Sequence, residues 1–257
     1  MNRLIFLIFI LFLCSCTGKK NDNNSQEWIK LFNGKNLDDW RIKFNHFEAG
    51  ENYNNTFKVV EGKLVVDYSE YDSINDEFGH IYYKEPFSKY KLRLEYRFTG
   101  DQAEGGPGWA YKNNGIMIHC QDPETILKDQ PFPVSLEAQL LGGDQERERT
   151  TANLCTPGTH VEINGELITN HCISSSSQTY RGDEWVKIEL VVYSDSIIHH
   201  IVEGDTVMTY SKPQIGGDHL PENYPFPEGY AVTEGYIAFQ AESHPTEFRN
   251  IELLELE

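Results

Sequence analysis

Alternation of apolar and charged residues is the feature that most constrains the fold of this chain. In residues 90–98, apolar side chains occupy every second position and four charged residues fill the positions between them. This period of two places the apolar set on one face of a β-strand. Two further segments predict hairpins, with turns at Glu61-Gly62 and at Asn164-Gly165. Because no segment shows the 3.6-residue period of a capped amphipathic helix, we predict an all-β sandwich of many short strands.

Composition limits the size of the domain and the class of ligand. The chain has 257 residues with 39% hydrophobic residues, enough for a substantial core in one large β domain or two small ones. No break in composition divides residues 27–257, so we expect a single domain there. The net charge of -18 repels phosphate backbones and argues against nucleic acid as a partner.

The first 26 residues predict export and lipid attachment. Asn2-Arg3 is a short basic region, and the ten uncharged apolar residues 4–13 are too few to span a bilayer. The string Leu13-Cys14-Ser15-Cys16 is typical of a bacterial lipobox, although an ordinary signal peptide ending near cysteines is the alternative. We therefore expect a signal peptide at 1–15, a lipid on Cys16, a flexible tether at 16–26 and a periplasmic or outer-membrane-attached lipoprotein.

The remaining cysteines predict one disulfide bond. The oxidising cell envelope permits a bond between Cys155 and Cys172, with Cys120 free in the core. A two-residue turn at Asn164-Gly165 pairs positions whose numbers sum to about 329, and the two cysteines miss this register by two. A bulge near Pro157-Gly158 would bring them opposite each other.

Polar residues fall in phase on two predicted strands, residues 115–120 and 134–141. Alternation places His119 and Gln121 on one face of the first strand, and Glu137 and Gln139 on one face of the second. If the strands pair, these side chains form one polar patch on the sheet. The alternative is that Glu137 and Gln139 simply face water.

Other candidates lie in or beside the long predicted loops, residues 100–114, 142–159 and 212–234, and loops on a rigid sandwich often carry the site. His171 precedes Cys172, which would fix its position. Trp109 could stack on a sugar ring or cover the edge of the sandwich. The last group is Glu242, His244 and Arg249, of which Arg249 could equally form a structural salt bridge.

Several strings, taken in order, resemble one protein family. They are residues 28–40 (WIKLFNGKNLDDW), 114–119 (NGIMIH), 136–139 (LEAQ), 235–240 (GYIAFQ) and 247–251 (EFRNI). Together they are similar to the 3-keto-disaccharide hydrolases, over residues 28–257. The resemblance implies a concanavalin-like jelly-roll sandwich of two antiparallel sheets. It also implies a carbohydrate substrate already oxidised to a ketone at C3, and a partner sugar oxidoreductase that supplies it.

The resemblance adds Asn114 and Gln240 to the substrate-binding candidates, beside Trp109, Gln121, Gln139, Glu242, His244 and Arg249. Family members are similar to LQ-x-H-G near the C-terminal end. In this chain Ala241-Glu242-Ser243 precede His244 instead. The site residues of the family therefore correspond less directly to residues of this chain in this segment.

The chemistry implied by a 3-keto glycoside needs a base, an acid and a group that stabilises an enolate. We expect Glu137 to remove the C2 proton, with His119 as acid or as the group that polarises the ketone, and with His171 as a third catalytic residue. The two roles could be reversed. His119, Glu137 and His171 are also residue types that bind divalent cations, but their spacing matches no metal motif.

The two alternative function classes are a retaining glycosidase and a non-catalytic carbohydrate-binding module. A retaining glycosidase needs two carboxylates about 5 Å apart. The residues around Glu137 read Glu-Ala-Gln-Leu-Leu and contain no second acid, which argues against that class. A non-catalytic carbohydrate-binding module stays open, because nothing in the sequence excludes it.

Overall fold

The computed structural model describes residues 27–257, and it is a sandwich of two antiparallel β-sheets. The predicted all-β jelly-roll fold is confirmed. Three short 3-10 helices are the only helical segments among the described residues: Tyr53–Asn55, Gly108–Ala110 and Pro123–Thr125. No helix in this part of the chain is long and apolar enough to cross a membrane. The signal peptide, Cys16 and the tether lie outside the described residues.

The first sheet has ten strands. In chain order they are β1 (Ile29–Lys30), β3 (Phe57–Val60), β4 (Lys63–Val66), β6 (Lys89–Phe98), β10 (Thr159–Ile163), β11 (Glu166–Ile168), β13 (Val186–Tyr193), β14 (Ile197–Val202), β15 (Asp205–Ile215) and β17 (Thr246–Glu255). Their spatial order is β11-β10-β15-β14-β13-β6-β17-β4-β3, with β1 paired to β17.

The second sheet has seven strands. They are β2 (Trp40–Phe44), β5 (Gly79–Tyr83), β7 (Asn113–Cys120), β8 (Leu136–Leu141), β9 (Asn153–Cys155), β12 (Cys172–Ile173) and β16 (Tyr236–Ala241). Their spatial order is β12-β9-β8-β7-β16-β5-β2. Strands β7, β8 and β16 therefore lie side by side at the centre of this sheet, although β16 is far from the other two in the chain.

The hydrophobic core lies between the sheets and follows the predicted alternation. All five apolar residues of the 90–98 segment are buried in β6, and alternate residues of β17 pack beside them. From the opposite sheet, Ile116, Leu136 and Phe239 complete the same cluster. Burial of apolar surface contributes roughly 25 cal/mol per Å² to the free energy of folding, so this layer is the main source of stability.

The two predicted hairpins are confirmed. β3 and β4 pair across Glu61-Gly62, and β10 and β11 pair across Asn164-Gly165, with Ile163 opposite Glu166. All four turn residues have positive φ, the conformation that the favoured two-residue hairpin turn requires.

Cys155 and Cys172 form the expected disulfide bond, and Cys120 is a free thiol in the interior. The proposed bulge is wrong, however. Strands β9 and β12 pair directly at the two cysteines and belong to the seven-stranded sheet, whereas the intervening hairpin β10–β11 belongs to the ten-stranded sheet. The chain thus changes sheets between the cysteine strands and the hairpin, and this shifts the register.

Candidate active site

A cleft of about 760 Å³ opens on the outer face of the seven-stranded sheet. Its floor is formed by outward-facing residues of β8 and β9, and its walls come from all three long loops predicted from the sequence. The lining residues are Gly108, Trp109, Asn113, Phe132, Glu137, Gln139, Arg147, Glu148, Arg149, Cys155, Pro157, His171, Cys172, His219 and Glu242. Five of the predicted site residues therefore meet in one place: Trp109, Glu137, Gln139, His171 and Glu242.

Glu137 lies on the central strand β8, opposite Met117 on one side and Cys155 on the other. Its side chain leans across the neighbouring strand over Gly115. A Cβ atom at position 115 would lie 2.8 Å from both Cγ and Cδ of Glu137, which is closer than such atoms approach. Only glycine at this position leaves room for the carboxyl group to lie along the floor of the cleft.

Glu242 supplies a second carboxyl group to the same cleft. It directly follows β16, on the far side of β7 from Glu137, and both side chains are buried. Burial raises the pKa of Glu137 to about 8. Burial, together with the negative charge of Glu137, raises the pKa of Glu242 well above its usual range. Oε2 of Glu242 has no hydrogen-bond partner among the described residues. Two close buried carboxyls resist ionising together, so the pair retains a proton near neutral pH.

His171 enters the cleft beside the disulfide bond. It immediately precedes Cys172, and its ring centroid lies 5.1 Å from that of His219. Burial and the neighbouring His219 lower the pKa of His171, so its imidazole is neutral near pH 7. A neutral imidazole presents one N–H donor and one acceptor nitrogen.

The opposite wall is held by Arg149. Its guanidinium donates hydrogen bonds to the backbone carbonyls of Tyr111, Gly142 and Trp109. These contacts fix the loop that carries Trp109, whose indole packs on Phe78 and is 52% exposed at the cleft. Trp109 therefore has a free aromatic face of the kind that stacks on a sugar ring.

His119 does not share this face, and the expected grouping of His119 with Glu137 is wrong. A bulge at the end of β7 gives His119 a φ of 47° and shifts the pairing with β16. Cys120, rather than His119, therefore continues the outer face begun by Met117. The imidazole of His119 instead donates from Nε2 to the backbone oxygen of Ser194, 3.1 Å away, and lines a different cavity.

Two other substrate-binding candidates also lie outside the cleft. Asn114 points into the interior, where its Nδ2 donates to the backbone oxygen of Gln240 at 2.8 Å. Gln121 lies past the bulge, where it donates to Thr125 and accepts from Gln130. Both side chains form hydrogen bonds within the protein and do not line the cleft, so the prediction that they bind substrate there is wrong.

The C-terminal candidates separate into three places. Arg249 lies on the outer face of the ten-stranded sheet, where it pairs with Glu95 at 2.5 Å and stacks on Trp185. It therefore forms a structural salt bridge and does not line the cleft. His244 is buried between Phe98 and Tyr111 and does not line the cleft. Gln240 lies in the cleft's sheet, opposite His80, but is fully buried.

Sequence reasoning missed several residues of the cleft, among them Asn113, Phe132, Arg149 and His219. Asn113 starts strand β7, one residue before the motif that drew attention to Asn114. Alternation along β7 could have found it, because Asn113 is in phase with Gly115 and Met117. The other three come from irregular loops, where no period relates sequence to direction.

One group among the described residues combines three side chains of metal-ligating type: Cys155, His171 and Cys172. The two sulfur atoms are bonded to each other, so neither is available as the thiolate that a metal ion would bind. This group therefore does not fit a metal ion in the oxidised protein.

These features define a class: a jelly-roll β-sandwich with an open, aromatic-walled cleft that contains two buried carboxyl groups. The family follows from the sequence. Residues 27–254 match the model of the 3-keto-alpha-glucoside-1,2-lyase-like domain, and the chain belongs to this family. The family predicted from the sequence motifs is confirmed. No curated protein matches the chain.

Solved structures share the fold at low sequence identity. A Parabacteroides distasonis protein, provisionally named a glycosyl hydrolase, is 19% identical with a TM-score of 0.56, covering 91% of this chain and 95% of its own. A Bacillus subtilis protein described as having a galectin-like fold is 12% identical with a TM-score of 0.56, covering 89% and 94%. At these identities the likeness concerns the fold alone.

Proposed function

We propose that this protein is an enzyme that cleaves glycosides carrying a ketone at C3, by removing the C2 proton and eliminating the group at C1. The observation that carries the proposal is the pair of buried carboxyl groups, Glu137 and Glu242, in one cleft. Family membership supports the same chemistry. A ketone makes the neighbouring C2 proton acidic, so a carboxylate with a raised pKa is a sufficient base.

Both carboxyls have raised pKa values and the pair retains a proton, so one carboxyl can act as the base while the other acts as the acid. Glu137 lies along the floor of the cleft over Gly115, so we assign it as the base that accepts the C2 proton. The C–H electrons form the C1–C2 double bond through an enolate, and the C1–O bond breaks. Glu242, still protonated, gives its proton to the departing oxygen. The products are an unsaturated 3-keto sugar and an alcohol, and water adding at C1 would make the net reaction a hydrolysis.

The remaining cleft residues have supporting roles in this proposal. The neutral imidazole of His171 donates its N–H to the C3 oxygen, where negative charge develops in the enolate. Trp109 stacks on the sugar ring, and Gln139, whose Oε1 accepts from Asn153 at 3.2 Å, hydrogen-bonds a sugar hydroxyl. His119 has no part in these steps.

The test is incubation with a 3-keto disaccharide and, separately, with its unoxidised parent, followed by product analysis. We expect cleavage of the keto sugar only. In D₂O, the wild-type protein should also exchange the C2 hydrogen of a keto sugar for deuterium, and Glu137→Gln should not. Failure to cleave or exchange any 3-keto glycoside would refute the proposal.

An ordinary retaining glycosidase is the second candidate, because Glu242 provides the acid that the sequence around Glu137 lacks. Such an enzyme would cleave the unoxidised disaccharide, which separates the two mechanisms in the same experiment. If the protein binds both sugars and cleaves neither, it is a carbohydrate-binding module.

The proposed reaction requires an oxidoreductase that converts the C3 hydroxyl to a ketone, and we propose such an enzyme as a functional partner. We also propose that Cys16 is lipid-modified and attaches the protein to the cell envelope. Cys16→Ser should leave the protein unprocessed or soluble. Unchanged mass and unchanged membrane fractionation of this variant would exclude the anchor.

A further inference from the structure

A second cavity, of about 680 Å³, lies on the other side of the loop that joins β15 to β16. His219 of this loop lines the cleft that contains Glu137 and Glu242, called the acidic cleft below. The later part of the loop, residues 221–226 and 230–234, lines the second cavity. The loop therefore separates the two cavities, and no lining residue is common to both. The second cavity is consequently a separate site with its own chemistry.

Aromatic side chains form an open platform at this cavity. The rings of Phe226 and Tyr230 are stacked 4.5 Å apart at an angle of 21°, and Tyr224 lies 6.0 Å from Phe226. Phe226 is 41% exposed and Tyr230 is 48% exposed. A contiguous exposed aromatic patch that is rimmed by polar groups typically marks a binding surface. Its flat faces suit a ring that presents polarised C–H bonds, because aromatic faces carry negative potential.

His119 lines the cavity and carries a hydrogen-bond acceptor without a partner among the described residues. Its Nε2 faces the backbone oxygen of Ser194, which can only accept, so Nε2 carries the hydrogen. Burial lowers the pKa of His119 and keeps the ring neutral. Nδ1 is then an acceptor, and it has no partner among the described residues. A buried acceptor of this kind is satisfied by a hydroxyl donor.

Charge narrows the class of ligand further. Asp122, Glu222 and Glu234 line the cavity, and the described lining contains no lysine or arginine. This field repels phosphate, sulfate and uronate groups. A quaternary ammonium would suit the carboxylates and aromatic rings, but it has no hydrogen to offer Nδ1 of His119.

We propose that the second cavity is a carbohydrate-binding site for a neutral sugar, which stacks on the outer face of the Phe226–Tyr230 ring pair and donates a hydroxyl hydrogen to His119. The cavity volume lies within the range of small-ligand sites. The site contains no carboxyl pair and binds without cleaving, and the proposal does not depend on the chemistry of the acidic cleft.

The test is calorimetric titration of the wild-type protein with the neutral hexasaccharides of the malto-, cello-, laminari- and xylo- series. Phe226→Ala/Tyr230→Ala should weaken binding of the hexasaccharide that binds best by about tenfold or more, because the stacked ring pair is removed. Leu167→Ala, an equally exposed apolar residue on β11, is the control and should leave binding unchanged. Ala231→Trp should also abolish binding, because the new ring fills the cavity without removing the platform.

The outcomes separate the proposal from its alternatives. His119→Gln offers an amide in place of the imidazole and should retain more affinity than His119→Ala. If no neutral hexasaccharide binds, or if the platform and filling variants bind like the control, the proposal is wrong. It is also wrong if tetramethylammonium competes with the sugar at comparable affinity, or if the platform variant only abolishes self-association in sedimentation. Trp109→Ala should leave this binding intact even if the acidic cleft cleaves no 3-keto glycoside.

Discussion

The outer faces of the two sheets have the same sequence pattern but differ in the environment of their acidic side chains. Both sheets alternate apolar residues facing the core with polar residues facing outward. On the ten-stranded sheet, the outward-facing acidic side chains form ion pairs with basic side chains at the solvent-exposed surface. On the seven-stranded sheet, loops cover the outward acids, which become buried beside each other.

The face of the ten-stranded sheet is a ladder of ion pairs. Glu252 accepts from Arg93 at 2.7 Å, and Glu247 lies within 2.8 Å of both Arg97 and Lys63. The paired bases hold the pKa of Glu247 below its usual value, despite partial burial. The same residue type on the other sheet, Glu137, has its pKa raised because it is buried without a base.

The difference shows that a polar residue in phase on a strand does not by itself mark a site. The covering loops determine the difference, because they exclude water and no basic side chain of the described residues forms an ion pair with Glu137 or Glu242. The acids that we propose to be reactive are therefore those that the fold leaves unpaired and enclosed.

Substituting one acid on each face gives the sharpest test of this comparison. Glu137→Gln should reduce turnover of a 3-keto glycoside by roughly 10²–10⁴-fold, because the base is lost while shape is retained. Glu95→Gln on β6 is the matched control and should leave turnover unchanged. Steady-state kinetics on purified variants will check both, and similar rates for wild type and Glu137→Gln would remove Glu137 from the mechanism.

The two faces should also respond differently to pH. The pKa of Glu137 is about 8 in the folded protein, against a usual value of 4.5. Between these values the folded state holds a proton that the unfolded state has released, so the free energy of unfolding falls as pH rises from 4.5 to about 8. Thermal melts across this window should show the decline in wild type and Glu95→Gln, and a smaller decline in Glu137→Gln. Equal slopes in all three proteins would contradict the raised pKa.

The disulfide bond belongs to the enclosed face, since both cysteines line the cleft. Cys155→Ser/Cys172→Ser should lower the free energy of unfolding by about 3 kcal/mol in the chain-entropy model for a loop of this length. Turnover of the folded variant should also fall, because His171 loses its anchor. Denaturant titration and kinetics at low temperature separate the two effects. A variant with reduced stability but normal kinetics would show that the bond does not position His171.

The smallest effect is expected on the open face. Arg249→Gln breaks the pair with Glu95, and exposed pairs contribute about 1 kcal/mol or less. Its turnover should equal that of wild type, because Arg249 lies on the sheet opposite the cleft. Urea unfolding and the same kinetic assay measure both quantities, and a large loss of turnover would place Arg249 in the site after all.

Much of the fold could be predicted because it depends on local periodicity. The 90–98 strand, both hairpins and the sandwich follow from alternation and turn residues. Strand alternation led to Glu137 and Gln139, the neighbouring Cys172 led to His171, and a long loop led to Trp109; all four line the cleft. These successes share a cause: each residue lies on a regular strand or beside a recognisable marker.

The errors arose where regularity breaks or where distant strands meet. One residue in a bulge reverses the direction of His119, and alternation alone cannot locate the bulge. The search for a second acid covered only the strand of Glu137, whereas Glu242 comes from β16, about 100 residues later and two strands away in the sheet. Pairing between distant strands is a property of the whole topology, which local patterns do not determine.

Gly115 suggests how a protein of this kind could change its activity without changing its acids. Alanine at this position would add one methyl group where the Glu137 side chain lies, and would displace the carboxyl. Both acids, the sandwich and the exposed Trp109 would remain. In the mechanism that we propose, a relative with such a side chain would keep the cleft and misplace its base, so that it would bind a sugar without cleaving it. Glycine here therefore offers a criterion for sorting catalysts from binders among proteins that share this fold.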